Sequence, residues 1–426
     1  MILKRIILVS FLIAFFSLSV ISQRTEILHL FVESGNYQRI NTPVSFGLEG
    51  LSVSDTISYQ LIEKVNGKDI EKAFQVEQGY IPQLWWVLDG ITEPGKSREY
   101  YLYEAVEHQS FNRITTVVTP KTIVLKKDSS EILHYQTAVL YPPADVDTIY
   151  KRSGFIHPIM TPAGSILTRV SPPDHYHHVG IWNPWTKVKI DNHVTDFWNL
   201  YEGQGTVRFS GINSIVNGTV FGGFSVRQEH VDFQGKRPEE IAINEVWDVR
   251  AWNVEPLAGS NAFLVDLTTY LSVAGDSAIV FEAYRYGGGI GIRANEEWTK
   301  DNSTVLTSEG KTRIDADGTR ARWTNLNGIF KNHHQSGIVF FSHPFNREFP
   351  EPMRVWPIDA NEGRGDLFFE FCPIRYKEWT LFPGTVYRLK YRMLVYDGVI
   401  DNSAADRIWN DFAFPPVVTV LGSCIK

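Results

Sequence analysis

The chain has 426 residues and a net charge of −7, from 41 Lys and Arg against 48 Asp and Glu. The two signs are interspersed, which argues against a nucleic-acid partner. Aromatic residues make up 13% of the chain, 12 of them Trp, a load that suits rings facing sugars but that a large core also explains.

In chain order, the first segment sets the expected compartment. Lys4 and Arg5 precede an almost wholly apolar run from Ile6 to Val20, and Ser22 stands at a cleavage-like position. That is a signal-peptide layout, so a mature start near Gln23 and a periplasmic or extracellular location are expected. The run is shorter than the roughly 20 residues that span a bilayer. No later segment is long and apolar enough to do so. The chain beyond Ser22 is too long for one ordinary core and suits two domains.

Residues 24–126 read as a small β-domain, with a strand-like run at Tyr100–Val106 and the pair Trp85-Trp86. The polar stretch Lys126–Glu131 reads as a linker. Residues 131–400 read as one large antiparallel β-sandwich. Within it, Phe263, Val265 and Leu267 alternate as one face of a strand, and Val280–Tyr286 reads as another that ends at Gly287-Gly288-Gly289. Gly337–Phe341 and Leu367–Phe371 read as buried strands. Tyr387, Leu389, Tyr391, Met393 and Val395 form an apolar face opposite Arg388, Lys390 and Arg392. Asn217-Gly218 and Asp317-Gly318 are hairpin-type turns. Helical periodicity beyond about three turns is not apparent, and the tail from Ile400 carries no clear signal. The separation of Cys372 and Cys424 does not say whether they pair.

The chemistry-bearing segment is Asp174-His175-Tyr176-His177-His178. Histidine exchanges protons near neutral pH and is the commonest metal ligand. If the segment is extended, His175 and His177 share one face, with Asp174 and His178 on the other. His-x-His is then a two-ligand arm for a divalent metal, with His157 or His230 as further candidates. Alternatively Asp174 or Asp196 orients an imidazole for acid–base work. Pro172-Pro173 stiffens the approach and Gly180 permits a close turn. A polar loop of hydrogen-bonded histidines without chemistry is the bland reading. Asn332-His333-His334 reads as a surface loop. Nucleophile-elbow, Walker, dinucleotide and His-Glu-x-x-His motifs do not occur.

Several of these residues also carry a family pattern. They are His157-Pro158, Thr161-Pro162-x-Gly164, Pro172-Pro173-Asp174-His175-Tyr176-His177-His178-x-Gly180 and Asp196-Phe197-Trp198. Further along the chain stand Ser308-Glu309-Gly310, Ala321-Arg322-Trp323, His343-Pro344-x-Asn346 and Tyr391–Gly398. The chain resembles the methane oxygenase PmoA-like family over roughly residues 130–398, although many members carry Arg where Val179 stands here. The resemblance implies an exported protein associated with glycan degradation and a sandwich similar to mutarotase-like folds. It does not imply the membrane oxygenase of that name, which spans the bilayer several times.

Three readings stand open. The first is a carbohydrate-active enzyme (hydrolase, lyase or epimerase) acting on an oligosaccharide or polysaccharide. In it His175, His177 or His178 serves as acid or base, Asp174 or Asp196 as its partner, and Trp182 and Trp198 as the sugar platform. His157, Arg293 and Arg322 would contact substrate, the arginines neutralising a uronate or an oxyanion. Both tryptophans packing inward is the competing reading. The second is a non-catalytic glycan-binding protein. The third is a copper or zinc site built on His175, His177 and His157.

Overall fold

The computed structural model describes residues 25–49, 58–105, 110–254 and 261–423. The expected leader and Cys424 lie outside them, while Cys372 is a buried free thiol. The β-rich expectation holds: strands dominate, and the sheets are antiparallel.

The alternating segments pair into two eight-stranded sheets. The first runs Gly205–Val216, Phe221–Asp232, Glu240–Trp252, Ala262–Val273, Tyr387–Asp397, Gln335–Ser342, Trp323–Ile329 and Ser303–Thr307. The second runs Met353–Val355, Phe368–Phe371, Gly291–Arg293, Ile181–Trp182, Ile156–Ile159, Ser130–Gln136, Thr122–Lys127 and Ile114–Val118. One buried cluster joins them, with Ile243, Trp247 and Val249 from the first and Leu133, Ile181 and Phe369 from the second. Period-2 alternation places such residues on one face, and apolar burial between the faces drives the packing. A four-stranded sheet, His193–Thr195, Val188–Ile190, Ile279–Phe281 and Trp379–Leu381, lies alongside.

The N-terminal strands form their own core of Leu30, Val44, Leu84, Trp86 and Tyr100 between a five-stranded and a three-stranded sheet. The chain's last strand, Val417–Ser423, closes that unit by pairing with Thr25–Glu33. The polar run 126–131, expected as a linker, is instead a hairpin turn, because Lys127 pairs with Ser130.

Strand Tyr387–Asp397 buries Leu389, Tyr391, Met393 and Val395 as expected. Its other face is not simply a solvated basic row. Arg392 is buried in two hydrogen bonds to Asp266, at 2.6 and 2.9 Å, and Leu394 and Tyr396 meet a second core. The cover is helix Asn402–Ala413, in the tail that carried no clear signal. Asp401 caps it through Ala404 N at 2.7 Å, and Ala405, Ile408, Trp409 and Phe412 face inward at helical spacing.

The strand expected over Val280–Tyr286 stops at Phe281. There Gly287 N donates to Glu370 at 2.5 Å, and Gly287, Gly288 and Gly289 all take positive φ. A Cβ on Gly288 would lie 2.0 Å from the Trp185 ring, so the bend depends on glycine. Asn217-Gly218 does join two strands. Asp317-Gly318 does not make a two-residue hairpin. It sits in the long connection after Thr307, where the Asp317 carboxylate holds Arg354 at 2.9 Å and Arg375 at 3.1 Å.

Candidate active site

The histidine segment is not a strand. Two turns succeed one another, closed by His175 N to Pro172 O at 2.9 Å and His178 N to His175 O at 3.0 Å. Ser171 N donates to His178 O at 2.9 Å and seals the loop. Pro172-Pro173 favours such turns, and proline has no N–H with which to extend a ladder. The alternation expected for His175, His177 and His178 therefore fails, and the three rings converge. His178 stacks against His175 at 4.8 Å, and His177 meets His178 edge-on at 4.7 Å.

Gly180 ends the loop at φ +72°, where an added Cβ would stand 2.2 Å from Ile156 O. Gly180→Ala is expected to destabilise by roughly 1–3 kcal/mol, through backbone strain and this clash. Denaturant unfolding checks it, and an unchanged midpoint would show that the strands can part at no cost.

Below the rings lies an aromatic floor. Trp182 is 0% and Trp198 3% exposed, in one cluster with Phe155, Trp356 and Phe368. These tryptophans cannot present an indole face to a sugar, which corrects the platform expected of them. They pack inward and support His178, which stacks on Phe368 and Trp198 at 5.1 and 5.6 Å.

Charge is concentrated at one edge of the floor. The Asp174 carboxylate, through Oδ2, meets His175 Nδ1 at 2.9 Å and Arg293 Nη2 at 2.7 Å. The same Arg293 nitrogen donates to Asp366 at 2.7 Å, Nη1 lies 3.3 Å from His178 Nδ1, and the guanidinium covers the Trp356 ring at 4.6 Å. Burial alone would raise the Asp174 carboxyl. The His175 hydrogen bond and the Arg293 charge outweigh it and hold the group well below the usual carboxylate range. Burial, reinforced by the charges of His175 and Arg293, pushes His177 down to about 3. His178, fully buried, is also driven well below its ordinary value, chiefly by burial. Both are neutral near pH 7. His178 is 1% exposed and His177 is half-buried, while the His175 side chain is 38% exposed.

The other expected site residues fall elsewhere. Asp196 orients no imidazole. Its Oδ1 accepts Trp198 N and Asn199 N at 2.8 and 2.9 Å, so it builds a turn. Arg322 packs over Trp409 at 4.8 Å and pairs with Asp406 at 3.2 Å, tying the C-terminal helix to the sandwich. His157 bonds Thr168 Oγ1 at 2.9 Å and lines a groove beside the histidine cluster, not the cluster itself. His230 is buried with Glu245 at 2.8 Å inside the sandwich core. His334 pairs with Asp397 at 2.7 Å. As for the metal readings, among the described residues no three His, Cys, Asp or Glu side chains are arranged to hold an ion. His175, His177 and His157 do not form the arm expected of them.

Some residues at the site carried no signal in the sequence. Asp366 and Trp356 come from a distant loop and meet Arg293 only through the fold. Tyr150 and Tyr176 approach at 5.6 Å, and Tyr150 is raised by burial and by the proximity of Tyr201, Asp147 and Tyr176. Tyr201 is 70% exposed. Only Tyr176 lay within the histidine motif.

Fold and site together define an all-β sandwich protein with an Arg-clamped Asp–His pair at a partly open edge. The chain belongs to the family of unknown function DUF6807, which it matches over residues 122–410. No curated protein matches it. Among solved structures it is similar to an alpha-mannosidase from Enterococcus faecalis V583, at 9% identity and a TM-score of 0.45. That similarity covers 93% of this chain and 46% of the mannosidase, so the chain spans about half of that protein's length.

Proposed function

We propose that this protein is an exported carbohydrate-active enzyme (a hydrolase, lyase or epimerase) whose acid–base group is His175, oriented by Asp174. One observation carries the reading: His175 Nδ1 lies 2.9 Å from an Asp174 oxygen that Arg293 holds at 2.7 Å. A carboxylate kept ionised beside Nδ1 fixes the ring and its tautomer, leaving Nε2 to take or give a proton. The neutral His177 and His178 add no competing charge. Tyr176 and Tyr150, whose rings approach at 5.6 Å, are the rings assigned to face the sugar, in place of the buried tryptophans.

The resemblance to the PmoA-like family supports a glycan substrate, an oligosaccharide or polysaccharide, and the N-terminal leader pattern supports export. Among the described residues no helix is long and apolar enough to cross a membrane.

The test is an oligosaccharide panel incubated with wild type and Asp174→Asn and read by product mass. Wild type is expected to convert at least one member, and Asp174→Asn to convert it at least a hundredfold more slowly while still binding it. Saturable binding with no product from any member would favour a glycan-binding protein without catalysis.

A further inference from the structure

A groove of about 780 Å³ opens beside the charged edge of the site, lined by His157, Arg169, Asn295, Glu296 and Lys331 among others. It is tied to His175 by an unbroken series of contacts. Arg169 N donates to Arg293 O at 3.1 Å, and Arg169 Nη1 stands 3.8 Å from Asp366. Arg293 then bridges Asp366 to Asp174, and Asp174 reaches His175.

The arginines of this edge differ in what they have left to offer. Arg293 is committed to Asp174 and Asp366, and Arg364 to Asp366 and the Glu296 carbonyl. The Arg169 guanidinium makes no hydrogen bond among the described residues. Its two carboxylate neighbours, Glu296 at 3.6 Å and Asp366 at 3.8 Å, stand beyond hydrogen-bond range. Three guanidinium groups thus share the two buried-edge carboxylates of Asp174 and Asp366. Glu296, 65% exposed in its side chain, is the loosely held counter-charge.

Asn295 lines the same groove, as do the carboxylates Glu296 and Glu297. Asn295 is 9% exposed, and its Nδ2 is a buried donor with no partner among the described residues. Its Oδ1 already accepts Glu297 N at 2.9 Å and Trp298 N at 3.2 Å, which fixes the amide.

We propose that this groove is the subsite for an acidic sugar, whose carboxylate binds the Arg169 guanidinium in place of Glu296. The proposal rests on the glycan reading above and deepens it by naming the substrate class, a uronate-bearing glycan. Planar guanidinium matches carboxylate in a two-point contact, which selects a carboxylate over a neutral hydroxymethyl group.

The experiment is calorimetric titration of the full chain with trigalacturonate, with a neutral trigalactan and with a sulfated trisaccharide. Wild type is expected to bind trigalacturonate at least tenfold more tightly than the neutral probe, with affinity falling as salt rises. Arg169→Met should remove that preference, Arg169→Lys should keep part of it, and Glu296→Gln should raise affinity for the acid. The melting temperature of each variant confirms that it is folded, and Glu296→Gln serves should Arg169→Met not fold. His175→Ala should bind trigalacturonate as wild type does, so loss of turnover there bears on the acid–base reading alone. Equal affinity of Arg169→Met and wild type for the acid would overturn the proposal. So would no preference in wild type, no binding of any probe, or tighter binding of the sulfated sugar.

Discussion

Between about pH 6.5 and pH 5 the protein is expected to lose on the order of 5 kcal/mol of stability, at roughly 1.4 kcal/mol per pH unit for each histidine kept neutral by the fold. Burial lowers His157 and His343 to about 4 and His177 to about 3, and it drives His178 well below its ordinary value. Each is neutral in the fold, while the unfolded chain takes up a proton below its ordinary value of 6.5. The stability these groups contribute is therefore complete above that pH and is lost as the pH falls toward the folded values. Asp174 acts in the same sense at lower pH, because its folded value is depressed and its contribution disappears as the carboxylate is protonated. Chemical denaturation at a series of pH values reads the effect. Equal unfolding free energy at about pH 7 and pH 5 would mean that these rings are charged in the fold.

Arg293→Met is expected to destabilise the protein by about 3–5 kcal/mol, the usual cost of removing one partner of a buried ion pair. The guanidinium is 1% exposed and serves Asp174 and Asp366 together. Without it both carboxylates lose their shared cation, and the Asp174 carboxyl rises because only the His175 hydrogen bond is left to oppose burial. His175 should then lose its fixed orientation, and turnover should fall with stability. The paired change Arg293→Met with Asp174→Asn should recover part of the stability, since one orphaned charge is gone. No recovery would place the cost at Asp366 or in lost packing on Trp356.

The parts of this architecture that sequence made legible are those that depend on short-range alternation. Leu389, Tyr391, Met393 and Val395 read as one buried face because the pleat repeats every two residues, and they are buried. Asp174, His175 and Arg293 stood out by residue type, and the fold brings them within hydrogen-bond distance. The errors have physical reasons. Pro172-Pro173 made a turn, not a strand, so three histidines expected on two faces share one cluster. Trp182 and Trp198 had apolar bodies that the floor could bury, and burial outweighed any use against a ligand. The C-terminal helix was readable in the Ala405, Ile408, Trp409 and Phe412 spacing behind an Asp cap, but its single amphipathic stretch was short. Asp366, Trp356 and Arg169 reach the site only because non-adjacent segments pack together, and no local pattern in the sequence encodes that.

In the proposed function His175 is the proton-transferring group of a glycan-active site. The most direct measurement is single-turnover conversion, by His175→Ala and by wild type, of whichever oligosaccharide the wild-type protein accepts. The expected loss is about 10²–10⁴-fold in the chemical step, the usual contribution of a positioned acid–base group. Substrate affinity should stay near wild type and the unfolding midpoint should fall only modestly, because the His175 side chain is 38% exposed, although its ring packs on Trp356 at 4.8 Å. Turnover by a folded His175→Ala protein at the wild-type rate would contradict the account and place the chemistry elsewhere in the molecule.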